Sequence, residues 1–248
     1  MALPKRTLSS EGRWTLPRPL IAIGDEHRYV LRLINILETE TNHLAAGEPA
    51  DFDCMADILN YIIHYPDKVH HPKEELIFDR MNKADAETQK IIRRLRKDHS
   101  RTAVLGEEIA DGIAAIRDSR SKKKRKELAA QIMNYIVRLR AHVQLEETHI
   151  FEPAATLLTA ADWKAIDKEI KPIIDPIFGH KQRDEFMPLF RRYLSHAATV
   201  SAGGFSPKIV EKTASTLERM IYAAGEVKKL PSRMSVSYTH LRAHETRP

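Results

Sequence analysis

The chain has 248 residues, with 42% hydrophobic, 6% aromatic and 30% charged residues, 9 Gly and 13 Pro, a composition that suits helices packed through Leu, Ile and Ala rather than a sheet protein. Forty Lys and Arg against 34 Asp and Glu leave a net charge of +6, gathered at Lys122, Lys123, Lys124, Arg125 and Lys126 and at Arg93, Arg94, Arg96 and Lys97; with no aromatics interleaved, these clusters read as solvated charge and not as a nucleic-acid surface. Cys54 is the only cysteine, which excludes an intramolecular disulfide, and the start of the chain lacks a secretory apolar stretch; with no apolar run near the roughly 20 residues that cross a bilayer, a cytoplasmic location and no membrane partner are expected.

The first helix is predicted from about Asp25 to Ala45, because His27, Val30, Leu31, Ile34, Leu37 and Leu44 fall on one stripe at helical spacing. Gly47 and Pro49 end it. The second begins after Asp51 or Asp53 as N-cap and continues to about Met81, with Met55, Leu59, Ile62, Ile63, His70, Glu74, Ile77 and Met81 facing inward. Pro66 and Pro72 interrupt its backbone bonding, so a kink or local unwinding is expected beside His70 and Glu74. The third spans about Ala86 to Arg117, its stripe reading Ile92, Leu95, His99, Ala103, Ile109, Ile113 and Ile116, with Gly106 as a gap. The fourth spans about Lys124 to Phe151, with Leu128, Ile132, Tyr135, Leu139, His142, Glu146 and His149 inward, and is closed by Pro153.

Two copies of one spacing stand out, His70-x-x-x-Glu74 and His142-x-x-x-Glu146. Residues four apart share a helix face one turn along, so each helix can offer an imidazole and a carboxylate to one ion. Each pair is preceded by a helix with a single inward histidine, His27 or His99. In an up-down bundle rising roughly 1.5 Å per residue, the four histidines come to one level. Buried without a partner, such residues are costly, and a shared cation satisfies them together. Imidazole with carboxylate suits iron or zinc, and facing helices of bundles hold metal pairs in this way. His71-x-x-x-Glu75 has the same spacing as His70 and Glu74. The latter pair continues the Ile63 and Ile77 stripe, whereas His71 and Glu75 share a face with Asp67 and Asn82; His71 is then placed around the ligands rather than among them.

The stretches YPDKVHHPKEELIF (65–78) and RAHVQLEETHIFEP (140–153), with DEH ending at His27 and KDH ending at His99, resemble the hemerythrin-like HHE cation-binding domain of bacterial proteins, over about Ile21 to Leu158. The resemblance implies an all-α, up-down four-helix bundle holding two iron ions in a non-haem di-iron centre. His27, His70, His99 and His142 would be terminal ligands, and Glu74, Glu146 and a solvent-derived oxygen would bridge. The oxygen-carrying hemerythrins bear another histidine one turn after the first on their third ligand helix. Here that position is Ala103, and His149, Glu147 or Glu107 is the candidate to fill it, with Tyr135 within reach as a hydroxyl. Open coordination positions favour reaction with, or sensing of, a diatomic or peroxide ligand such as dioxygen, peroxide or nitric oxide. The alternative is iron sensing, storage or donation, including iron–sulfur cluster repair, without turnover; family resemblance does not choose between enzyme and binding protein. Cys54 reads as core, and His43, His64, His180 and His196 as surface or structural residues.

Beyond an N-terminal arm (1–20) and the bundle (21–158), residues 159–230 are expected to form a short helical extension. It opens with a capping box at Thr159 and Asp162 and a turn at Asp175 to Gly179, followed by helices at about Arg183 to His196 and Pro207 to Glu226 that cover the bundle or make a homo-oligomer. Residues 231–248 are expected to be a disordered tail. From Ser235 it resembles translated adapter sequence, so His240 and His244 are not counted as ligands.

Overall fold

Every described residue belongs to a helix, a cap or a short connection. The computed structural model describes residues 16–170 together with Asp175, Ile177, Leu189, Arg191 and Arg192, all within the unit spanning residues 1–196. The helices expected beyond residue 180 except for Leu189, Arg191 and Arg192, the turn after Asp175 except for Asp175 and Ile177 themselves, His180, His196 and the tail lie outside the described residues.

Helix α1 runs over Arg18–Ala46 and so starts seven residues before the expected Asp25. Pro19 is accepted in its first turn, where a backbone N–H would have no helical acceptor. The extra turns bury Leu20 and Ile23 in an apolar layer with Phe78, Phe151 and Ile166. At the other end Gly47 takes φ 79°, and the N–H groups of Gly47 and Glu48 donate to the carbonyls of Leu44 and His43. This left-handed cap is why glycine follows the last turn.

Helix α2 (Phe52–Tyr65) is capped by Asp51, which accepts from the Cys54 N–H at 2.9 Å. The expected single helix to Met81 is then broken by one π-helical turn, Pro66–His70, before helix α3 (His71–Arg80). Pro72 has no N–H for the carbonyl of Lys68 and its ring crowds that group. The chain widens there instead of stopping, and the His71 N–H donates to the carbonyl of Pro66.

Helix α4 (Ala86–Ile116) starts where Asp85 accepts from the Glu87 and Thr88 N–H groups. Helix α5 (Lys122–His149) starts at a Ser121 cap, two residues before the expected Lys124. Its end also differs from expectation, because the break comes at Ile150 and Pro153 sits inside helix α6 (Phe151–Leu157). In the first turn of a new helix proline has no bond to break, so it starts α6 rather than closing α5. The predicted capping box at Thr159 and Asp162 is formed and opens helix α7 (Ala160–Glu169).

Helix α1 packs on α2 and α5, and α4 packs on the same two, which closes a four-helix ring. Helices α6 and α7 cover one end of it, through α5 and through α1 and α3 respectively. Buried Leu33, Ile34, Leu37, Met55, Leu59, Ile109, Ile113 and Ile132 line the interior of the ring. Each large aliphatic side chain so removed from water contributes about 1.5–3 kcal/mol. Within this interior His27, His70, Glu74, His99 and Glu146 are buried as well.

Candidate metal centre

Four donors converge from three sides of the ring. The Nε2 atoms of His27 (α1) and His70 (the π turn) lie 3.1 Å apart. Oε1 of Glu74 (α3) is 2.7 Å from His70 Nε2 and 3.8 Å from His27 Nε2. Oε2 of Glu146 (α5) is 3.4 Å from His27 Nε2. A second group begins on the other oxygen of the same carboxylate, since Glu74 Oε2 lies 3.3 Å from Nε2 of His99 on α4. His71 completes a three-residue group with Glu74 and His99, and in each group the ligand-type atoms lie within 4.8 Å of one another. His142 sets its ring edge-on to His99 with centroids 4.9 Å apart, and its Nε2 is 4.0 Å from Glu146 Oε2.

The outward nitrogens of the first two imidazoles are held by carboxylates. His27 Nδ1 is 2.9 Å from Glu147 Oε1 and His70 Nδ1 is 2.9 Å from Glu26 Oε2, with Lys73 bound to the second oxygen of Glu26. A carboxylate accepts only, so both Nδ1 atoms carry the proton and donate it. In neutral rings the two Nε2 lone pairs then face each other and two acidic oxygens. The arrangement requires positive charge at its centre.

The titration behaviour expresses the same demand. Burial works to lower the pKa of His27, but its contacts with Glu146, Glu147 and Glu74 prevail and raise it well above the usual value. Burial likewise opposes, and Glu74 and Glu26 overcome, a rise of His70 to about 9. Burial alone would raise Glu74, yet His70 and His27 hold it well below the carboxylate range. Burial and then the neighbouring Glu74 charge push Glu146 upward. His142, with burial dominant, falls to about 4, which leaves its ring neutral and able to ligate.

A cation would also satisfy atoms that hydrogen bonding does not. Among the described residues, both oxygens of Glu74, Oε2 of Glu146 and Nδ1 of His142 are buried with no hydrogen-bond partner. The 2.7 Å approach of His70 to Glu74 is thus an ion-pair distance without hydrogen-bond alignment. Unpaired buried polar atoms are rare and costly. Donors about 2.1 Å from one ion are at most about 4.2 Å apart, so each group needs to contract by only some tenths of an ångström to hold one. The donor set fits.

The sequence model of the hemerythrin HHE cation binding domain matches residues 19–155. The chain belongs to this family. Among curated proteins no sequence matches the chain significantly. The HHE domain thus covers α1 through most of α6, and all six residues singled out by spacing lie within it, as do His71, Glu26 and Glu147.

The three proposed fillers of the Ala103 position do not enter the HHE site. His149 and Glu107 are exposed, His149 lining a surface groove with Glu152 and Thr88. Glu147 faces outward and meets the centre only through His27 Nδ1. Glu75, the alternative to Glu74, is at the surface with Arg96 at 2.7 Å. His43 is half-buried and His64 exposed, and Cys54 is buried.

Sequence reasoning missed the Glu26 and Glu147 partners. Each stands beside a singled-out residue, in DEH and in LEE, but which imidazole each holds depends on the approach of two helices. A cavity of about 50 Å³ adjoins the histidines, lined by Val30, Ile62, Ile63, Ala103, Tyr135, Leu139 and Val143. No helix among the described residues is long and apolar enough to cross a membrane.

Proposed function

We propose that the HHE domain holds two iron ions, with Glu74 between them, and that this centre binds, senses or reacts with a small oxidant. The carrying observation is the division of one buried carboxylate, Oε1 toward His27 and His70 and Oε2 toward His99. A carboxylate shared in this way is suited to link two ions rather than cap one. Glu146, between His27 and His142, supplies the second acidic group. Iron bound there would supply one-electron exchange with dioxygen, peroxide or nitric oxide.

The protein's own residues prepare the site for that chemistry. Glu147 and Glu26 lock the tautomer and ring orientation of His27 and His70, so that Nε2 faces inward before any ion arrives. Burial, the largest influence, acts to raise the pKa of Glu26, but His70 and, to a lesser degree, Lys73 hold it below the usual value and keep the carboxylate charged. The apolar cavity has room for only one or a few water-sized molecules and so favours a diatomic or peroxide ligand over an organic substrate.

Metal analysis of anaerobically prepared protein is expected to give two iron ions per chain. Stopped-flow mixing of the ferrous form with dioxygen, peroxide and nitric oxide then tests the reactivity. A fast oxidation that recurs after re-reduction supports the proposal. Slow loss of iron without a repeatable cycle would favour iron storage, sensing or donation instead.

A further inference from the structure

We propose that His71 is a direct ligand of the second ion, brought into the site by the π-helical turn; the proposal rests on the two-ion reading above. In a regular α-helix neighbouring side chains point about 100° apart, so a helix that aims His70 inward would direct His71 toward the flank, where Glu75 lies. A π turn carries more residues per turn and narrows that angle. Here the turn ends at His70, with the His71 N–H bonded to the carbonyl of Pro66. Consecutive histidines consequently both line the cavity at the centre.

The two imidazoles are divided between the two oxygens of Glu74. His70 Nε2 meets Oε1 at 2.7 Å. His71 instead stacks on His99, with centroids 3.8 Å apart and planes 9° from parallel, and groups with His99 and Glu74 within 4.8 Å. Helix α4 contributes one imidazole only, because Ala103, a turn after His99, has no donor atom. The neighbouring run of the ring, where the π turn follows α2, supplies the missing nitrogen. Pro72 has no N–H for the carbonyl of Lys68 and so interrupts regular bonding here, and the sequence His-His-Pro places the second imidazole beside that interruption.

The test is an anaerobic Co(II) titration of the full chain, wild type against His71→Phe, followed by visible absorption and by equilibrium competition with a chelator. Phenylalanine keeps a flat ring against His99 and removes the donor nitrogens. His71 is only partly buried, so His71→Ala serves as a second variant that leaves no large cavity, and circular dichroism verifies the helix content of each. Loss of even an outer partner of a ligand weakens metal binding by about 10–100-fold, so loss of a direct ligand is expected to weaken the second Co(II) by more than about 100-fold while the first binds as in wild type. Two ions bound by both variants with wild-type affinity would overturn the assignment of His71 alone. Loss of both ions from chains of native helix content would overturn its placement in the second group. A wild-type chain that takes up one Co(II) would overturn the two-ion reading and this proposal with it.

Discussion

Glutamine at position 74 preserves the shape of the side chain and removes its charge, at the residue that belongs to both donor groups. An ion that binds only the folded chain adds about 2.7 kcal/mol when its free concentration is 100-fold above Kd, so two independent ions add about 5 kcal/mol. For a chain of this length 1 kcal/mol moves the midpoint of thermal unfolding by about 2–4 °C, which puts the wild-type increment on metal addition at about 10–20 °C. Glu74→Gln is expected to lose nearly all of it. His27→Gln, which disturbs only the group of His70, Glu74 and Glu146, is expected to lose about half. The measurement is scanning calorimetry on each protein, metal-free and with Co(II) under nitrogen. Each metal-free midpoint serves as its own baseline, which removes the direct cost of losing a buried charge. A Glu74→Gln chain whose midpoint climbs by the full wild-type increment would refute the shared-carboxylate geometry, and identical losses in the two variants would refute the division into two groups.

Metal-free protein should lose stability as pH rises from about 6.5 to about 9, because His70 titrates near 9 when folded against 6.5 unfolded and His27 is raised in the same sense; that contribution is complete below the unfolded value and vanishes above the folded one. Urea titrations across this range test it, and a flat or rising profile contradicts it. Gly106→Ala would place a Cβ 2.7 Å from Ile63 Cγ1 and 3.0 Å from the Tyr135 hydroxyl, an overpacking cost of about 1–3 kcal/mol that exceeds the roughly 1 kcal/mol gained in helix propensity. Gly112→Ala meets only the mobile end of Leu128 at 2.7 Å and should be neutral or stabilising, so equal shifts in chemical unfolding would show the contacts to be irrelevant. Burial, the largest influence, pushes the Cys54 thiol up to about 12; Ellman's reagent at pH 8 is expected to label it only after unfolding, and rapid labelling of the native chain would contradict this burial.

The parts of the site legible in sequence were those carried by one helix at constant pitch. His142 and Glu146, or His99 and the Ile92 and Leu95 stripe, need nothing beyond the four-residue repeat to share a face. The same rule selected Glu74 over Glu75, which the structure places at the surface beside Arg96. It did not anticipate that His71 would line the same cavity as His70, because it assumes an unbroken α-helix. The prolines announced an interruption, but whether the backbone kinks, stops or widens depends on neighbouring packing, and here the widened turn leaves both adjacent histidines lining one cavity. Pro153 misled for a related reason: the residue that ends one helix is equally acceptable in the first turn of the next.

What no spacing could reveal is the outer layer of carboxylates, and this layer orients the inner donors. Glu26 and Glu147 fix both Nδ1 protons, which leaves His27 and His70 presenting Nε2 atoms 3.1 Å apart toward two further acidic oxygens. Without positive charge this cluster would be repulsive; burial acts to lower both imidazoles, but the surrounding carboxylates raise them, so a proton and a cation would compete for the same lone pairs. Binding must then displace protons, and apparent affinity should grow with pH over the same interval in which the metal-free fold weakens. The two trends share one cause: the donors are held in place by groups outside the centre, and the centre selects for whatever cation fills it.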